Sequence, residues 1–207
     1  MLRGRNHRSG LPKTRLEAVV DGITAFVLTV LVFDIQRPAE ASWQAVFDVR
    51  GSVFTFLITA AVVATFWLGH AQQMNFITRI DRTLVWINFG GLAVVVLLPF
   101  TTAFLGSHLG ERVPTALYGI NVGLVGVAGL AQWRWAARRE HLLRPGTPRE
   151  AVRDLSWRIA LALALTAVGV AIAAIWNGWA AMTFFAAAFL PFALRGLHDD
   201  HLLAEGA

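Results

Sequence analysis

Hydrophobic residues along the chain are grouped into long blocks, and short polar stretches separate these blocks. Each block is about 20 residues long, the length that an α-helix needs to cross the roughly 30 Å hydrocarbon core of a bilayer. The pattern therefore predicts an all-α, polytopic membrane protein with six transmembrane helices per subunit. The predicted spans are 16–35, 51–71, 84–105, 113–137, 159–176 and 178–194.

Lys and Arg residues are distributed unevenly between the two sides that this topology defines. Of the 18 Lys and Arg residues, 15 fall in the N-terminal segment, the second and fourth connections and the C-terminal end, and 3 fall on the opposite side. Because Lys and Arg accumulate in cytoplasmic loops, both termini are predicted to be cytoplasmic. The predicted organisation is a basic cytoplasmic segment at 1–14, a six-helix membrane domain at 15–195 and a cytoplasmic tail at 196–207.

The composition narrows the chemistry that this chain can carry. The net charge of +5 is explained by the cytoplasmic Arg residues, so no nucleic-acid partner is expected. The absence of Cys excludes disulfides, thiolate metal sites and Cys nucleophiles. No Gly-rich phosphate loop and no HExxH or GxSxG motif is present, so neither a cofactor nor an enzyme is predicted. The run HDDH at 198–201 is interpreted as a solvated tail, and no metal site is predicted.

The first span, RLEAVVDGITAFVLTVLVFDI at 15–35, carries carboxylates at both ends. At helical spacing, Glu17 and Asp21 share one face, and this polar stripe should contact partner groups within the protein. A second stripe has no charge beyond its first turn, and it would face lipid, a neighbouring helix or an axis of symmetry. Its members are Arg15, Val19, Gly22, Phe26, Thr29 or Val30, and Phe33.

Other polar residues lie at the same membrane depth as Asp21. They are His70 at the end of the second span, Asn88 at the start of the third, and Asp81 and Arg82 in the connection between them. The topology puts all of them on the cytoplasmic side, which allows a network among Arg15, Asp21, His70 and Asn88. Trp residues near span ends, including Trp67, Trp133 and Trp135, are interpreted as an interfacial aromatic belt.

The first span also resembles the first-helix signature of the transmembrane protein 175 family, the endolysosomal potassium channels and their prokaryotic relatives. That signature is Arg-x-x-x-Phe-Ser-Asp-Gly, followed by an apolar run that ends in a triplet like Leu-Asp-Ile. FWLGH (66–70), RIDRTLVWIN (79–88) and LLPF (97–100) resemble the second and third spans of the family. The resemblance covers about residues 12–105, and the pair Val19-Val20 replaces the Phe-Ser of the signature.

The resemblance implies a potassium-permeable channel in a prokaryotic inner membrane. Prokaryotic members of the family are six-span subunits that assemble as homotetramers, with the first helix lining a central pore. The implied partners are therefore further copies of the chain, membrane lipid, and potassium or other monovalent cations. The family's constriction positions can be placed on this chain by counting from Asp21. The resemblance then implies an apolar constriction of Phe26, Val30 and Phe33, with Thr29 as its polar neighbour. Asp34 is expected near the outer mouth.

The resemblance also implies a buried polar network that holds the first helix against the second and third. The residues assigned to it are Arg15, Asp21, His70, Asp81, Arg82 and Asn88. Two alternatives remain from the residues themselves. A proton-coupled secondary transporter would use Asp21 and His70 as a relay, and an intramembrane enzyme would use His70, Asp81 and Asn88, although no nucleophile accompanies them.

Overall fold

The structure is a computed structural model that describes residues 12–176 and 178–187, and these residues form a helical bundle. Among them, the sole β-type pairing is an isolated antiparallel bridge between Ile77 and Leu143. The helices are α1 (Lys13–Phe33), α2 (Trp43–Asp48), α3 (Arg50–Phe76), α4 (Arg82–Val95), α5 (Leu98–Ser107), α6 (Arg112–Ala137), a 3₁₀ turn (Glu140–Leu142), α7 (Arg149–Ile175) and α8 (Gly178–Ala187).

Five helical segments in the described part of the chain are long and apolar enough to cross a membrane. They are Lys13–Phe33, Arg50–Phe76, Arg82–Ser107, Arg112–Ala137 and Arg149–Ile175. These segments correspond to the first five predicted spans. α8 begins where the sixth span was predicted to begin, and the remainder of that prediction, 188–194, lies outside the described residues. The same holds for the predicted tail and its HDDH run.

The third span is interrupted, which the hydrophobic pattern did not predict. α4 ends at Val95 and α5 begins at Leu98. Pro99 explains the break, because proline has no backbone N–H and its ring clashes with the carbonyl group four residues earlier in a regular helix. The Leu97 N–H bonds instead to the Val94 carbonyl oxygen, three residues back, at 3.2 Å.

A side chain from α6 completes the hydrogen bonding at this break. Asn121 donates from Nδ2 to the Val94 carbonyl oxygen at 3.1 Å. Its Oδ1 accepts the Thr101 hydroxyl at 3.1 Å. Backbone groups freed inside a membrane must find partners within the protein, and Asn121 supplies one here.

Buried hydroxyl groups also link α3 to α5 and α6. Thr59 of α3 donates to the Tyr118 hydroxyl of α6 at 3.2 Å, and it shares a hydrogen bond of 2.9 Å with Thr102 of α5. All three side chains are buried. α6 is the central helix, because it packs against α7 and α8 on one side and against α3, α4 and α5 on the other.

We expect Asn121→Leu to lower the free energy of unfolding by about 1–3 kcal/mol, because it removes the two buried hydrogen bonds that join α6 to the Thr101 hydroxyl and the Val94 carbonyl at the break. Thermal unfolding of the purified protein in detergent measures the effect. Asn75→Leu is the control, since Asn75 is exposed, and it should change stability by less than about 0.5 kcal/mol. Equal stability of the two variants would contradict this role for Asn121.

Candidate pore-lining helix and its polar contacts

α1 presents two distinct faces. One face packs against α3, α4 and α5 through buried side chains. They are Leu16, Val20, Thr24, Val27 and Leu31, spaced three or four residues apart as one helical stripe requires. The Thr24 hydroxyl on this face is enclosed and has no hydrogen-bond partner among the described residues.

The opposite face of α1 is apolar and exposed in the single chain. Phe26 is 65% exposed and Phe33 is 84% exposed, while Val30 is half-buried. Thr29 lies on the same face, and its hydroxyl donates to the Phe26 carbonyl oxygen at 2.7 Å, which satisfies it within the helix. The three residues predicted for the constriction and their polar neighbour Thr29 thus share the side of α1 that the bundle leaves uncovered.

Asp34 directly follows this helix. It is the C-terminal cap of α1, and its N–H bonds to the Leu31 carbonyl oxygen at 3.3 Å. Its Oδ2 is enclosed and makes no hydrogen bond with any described residue. A carboxylate at a helix C-terminus adds to the partial negative charge of the last carbonyl groups, so this end of α1 favours a cation.

Asp21 is bonded to a Trp side chain, a partner that the sequence did not identify. Trp67 of α3 donates from its indole Nε1 to Asp21 Oδ1 at 2.7 Å. Both residues are exposed in the single chain. The interpretation of Trp67 as a belt residue is therefore incomplete, because its N–H joins α3 to the N-terminal half of α1.

His70 and Asn88 are buried and hydrogen-bonded to each other. The distance between His70 Nε2 and Asn88 Oδ1 is 3.0 Å, which joins α3 to α4. Asn88 Nδ2 donates to the Leu84 carbonyl oxygen at 2.8 Å, so the orientation of its side chain is fixed by its own helix. Two members of the predicted network are thus paired with each other, while Asp21 is bonded to Trp67.

Asp81 links the start of α4 to α6. It is the N-cap of α4, and its Oδ1 accepts the Leu84 N–H at 2.7 Å. It also accepts the indole Nε1–H of Trp135 from α6, at 2.9 Å to Oδ2. The Arg139 guanidinium lies 3.3 Å from the centre of the Trp135 ring, a cation–π geometry. The interpretation of Trp135 as a belt residue is incomplete in the same way, since its indole N–H is bonded to Asp81.

Backbone bonds add to this junction. The Thr78 N–H donates to the Leu142 carbonyl oxygen at 2.9 Å, and the Arg144 N–H donates to the Phe76 carbonyl oxygen at 2.8 Å. The connection after α6 is thereby attached to the connection after α3. Trp133 is fully buried beneath it and donates to Ser156 Oγ at 2.8 Å, so the belt interpretation is wrong for this residue.

Two predicted network residues stay apart from the others. Arg15 and Arg82 are exposed, and neither guanidinium makes a hydrogen bond or an ion pair with a described residue. The cation that does connect α1 to α3 is Lys13, which sequence reasoning missed. Its Nζ lies 2.6 Å from the Met74 carbonyl oxygen and 3.3 Å from Glu17 Oε1.

Three donors that the sequence analysis did not assign are Trp67, Trp135 and Lys13. The signal that could have found Trp67 and Trp135 is the need of Asp21 and Asp81 for a hydrogen-bond donor. A carboxylate at membrane depth requires a donor, and Trp offers one N–H at the end of an apolar ring. The sequence shows Asp21 and Asp81 without showing which donor turns toward each. In the described part of the chain, no group of three or more His, Asp or Glu residues is positioned to hold a metal ion.

Comparison with known proteins shows which protein family this chain resembles. The model of the family "Endosomal/lysosomal potassium channel TMEM175" matches residues 15–99. A protein named potassium channel B446_29190 from Streptomyces collinus is 30% identical over 155 residues, which are 71% of this chain and 75% of the relative. The mouse endosomal/lysosomal proton channel TMEM175 is 24% identical over 170 residues, 79% of this chain and 34% of that protein.

The fold is also that of a solved structure. A crystal structure of a lysosomal potassium-selective channel TMEM175 homolog from Chamaesiphon minutus superposes with a TM-score of 0.78 at 23% identity. The match covers 88% of this chain and 97% of that one. The protein is thus a multi-pass α-helical membrane protein. Its class is that of ion channels and not of enzymes. It belongs to the TMEM175 family.

Asp81→Ala should lower the free energy of unfolding by about 1–3 kcal/mol, because it removes the N-cap of α4 and the acceptor of the Trp135 N–H. Asp81→Asn keeps a side-chain oxygen for the cap and should cost less than Asp81→Ala. Asp48→Ala is the matched control, since Asp48 is exposed and bonded only within α2 to Gln44. The same thermal unfolding measurement applies, and a loss no larger for Asp81→Ala than for Asp48→Ala would refute the assignment.

Proposed function

We propose that this protein is a homotetrameric, potassium-permeable channel whose pore is lined by α1 of four subunits. Membership of an ion-channel family supports channel activity, and the names of its bacterial relatives support potassium as the permeant ion. The observation that carries the proposal is the exposed, uncharged face of α1. An apolar helix face left uncovered in one subunit is available to a symmetry axis.

The constriction is formed by Phe26, Val30 and Phe33, which span about 10 Å along the helix axis at 1.5 Å per residue. Four copies of each side chain produce stacked apolar rings, and an apolar constriction closes a pore by excluding water. Phe26 also offers the face of its ring to a passing cation. Thr29 adds a hydroxyl oxygen between the rings.

The acidic residues of α1 favour cations over anions. Asp34 lies at the outer mouth, where four carboxylates raise the local cation concentration. Asp21, with Trp67, lies toward the cytoplasmic end and holds the helix in place. The 15 to 3 asymmetry of Lys and Arg supports cytoplasmic termini, and a prokaryotic inner membrane is the proposed location.

The oligomeric state is the first test, because one α1 per subunit cannot enclose a pore in a monomer. Native mass spectrometry of the purified protein in detergent should give a mass of four 22.6 kDa chains. A monomer or dimer that still conducts ions in liposomes would contradict the proposed pore.

Potassium flux is the second test. Liposomes containing the protein should release potassium without valinomycin, and Phe26→Ala should increase the flux and reduce the preference for potassium over sodium, because it widens an apolar ring. Phe100→Ala is the matched control: Phe100 is also 65% exposed but lies on α5. It should leave flux and selectivity unchanged.

Two outcomes would reject the channel proposal. One is the absence of protein-dependent potassium flux, together with no effect of Phe26→Ala. The other is a saturable flux that requires a proton gradient and is lost in His70→Gln, which is the behaviour of the proton-coupled transporter. No hydrogen bond joins Asp21 to His70 in the described structure, so nothing there favours such a relay.

A further inference from the structure

An internal cavity lies within each subunit, away from the exposed face of α1. It has a volume of about 110 Å³, is partly open to the outside, and lies between α3, α4, α6 and α7, with Val20 of α1 in its wall. Most of its lining is apolar, and residues such as Val62, Leu92 and Val125 form that part. An apolar cavity of about 150 Å³ in another protein admits benzene, so this cavity is large enough for a short alkyl chain.

One wall of the cavity carries an amide pair that is not fully used. Gln73 of α3 and Gln132 of α6 are each 4% exposed and both line the cavity. Gln132 Nε2 donates to Gln73 Oε1 at 2.9 Å. The Gln73 amide nitrogen and the Gln132 oxygen have no hydrogen-bond partner within the described part of the chain. If either amide is turned over, the pair still retains unused hydrogen-bonding capacity.

The free groups are accessible from the cavity. Neither atom is among the fully enclosed polar atoms that lack a partner. A Cβ placed on Gly129, which also lines the cavity, would lie 3.7 Å from Gln73 Nε2. The described lining contains no Asp, Glu, Lys or Arg. The chemistry of the site therefore suits a neutral head group that both donates and accepts, attached to a short apolar chain.

The geometry points to a binding site for a small neutral amphiphile, a short-chain primary carboxamide, with its head on Gln73 and Gln132 and its chain among the apolar residues. A carboxamide presents a donor and an acceptor side by side. Its oxygen can accept from the Gln73 amide nitrogen and its N–H can donate to the Gln132 oxygen. The site is separate from the proposed pore, and its occupancy does not depend on ion permeation. Because His70 and Asn88 also line it, a ligand there contacts the pair that joins α3 to α4.

The test compares two probes of the same shape on the full chain in lipid nanodiscs. Butanamide donates and accepts hydrogen bonds, whereas 2-pentanone only accepts them. Titration calorimetry should show saturable binding of butanamide, with 2-pentanone bound about tenfold more weakly, the cost of a lost buried hydrogen bond. Non-saturable uptake of both probes, or equal affinity for them, would overturn the proposal.

Two variants locate the binding. Gly129→Leu should abolish butanamide binding by filling the cavity, whereas Gly90→Leu should not, because Gly90 is exposed and has open space around it. Gln73→Leu/Gln132→Leu replaces both members of the pair with apolar residues and should remove the preference for butanamide over 2-pentanone, whether or not Gly129→Leu folds. Binding that survives Gly129→Leu, or a preference that survives the double substitution, would place the ligand elsewhere.

Discussion

The packing of one face of α1 against α3, α4 and α5 is the interaction on which the remaining features depend. Leu16, Val20 and Val27 are buried there, and burial of this stripe leaves the opposite stripe uncovered. In hydrocarbon, apolar contact with neighbouring helices differs little from contact with lipid tails, so close packing and hydrogen bonds fix the rotation of the helix. The rotation of α1 in turn determines which side chains are available to a symmetry axis.

Polar contacts in the N-terminal half of α1 fix that rotation. Trp67 holds Asp21, and Lys13 reaches the Met74 carbonyl oxygen, so α1 is attached twice to α3. α3 is joined to α4 by His70 and Asn88, and α4 to α6 by Asp81 and Trp135. These bonds lie toward one end of the bundle, whereas the exposed Phe26, Val30 and Phe33 lie in the middle and C-terminal part of α1. The polar anchors and the exposed apolar side chains therefore occupy different parts of one helix.

The sequence predicts the spans well because the length of an apolar run is a local property. It also separates the charged and uncharged stripes of α1, since helical spacing alone assigns residues to faces. It does not predict the break at Leu97, which combines Pro99 with a remote partner, Asn121. Nor does it predict that Trp67 donates to Asp21 and Trp135 to Asp81, because the relative rotation of two helices is set by packing and not by local pattern. Long-range partners are what the structure adds.

The central claim is that Val30 faces the ion pathway. Substituted-cysteine modification tests it directly, because the chain contains no Cys. Val30→Cys in liposomes should lose most of its potassium flux when a cationic methanethiosulfonate reagent is added, since the attached charge stands in the constriction. Phe100→Cys, on the exposed side of α5, should keep its flux after the same treatment. Unchanged flux in modified Val30→Cys would contradict a pore lined by α1.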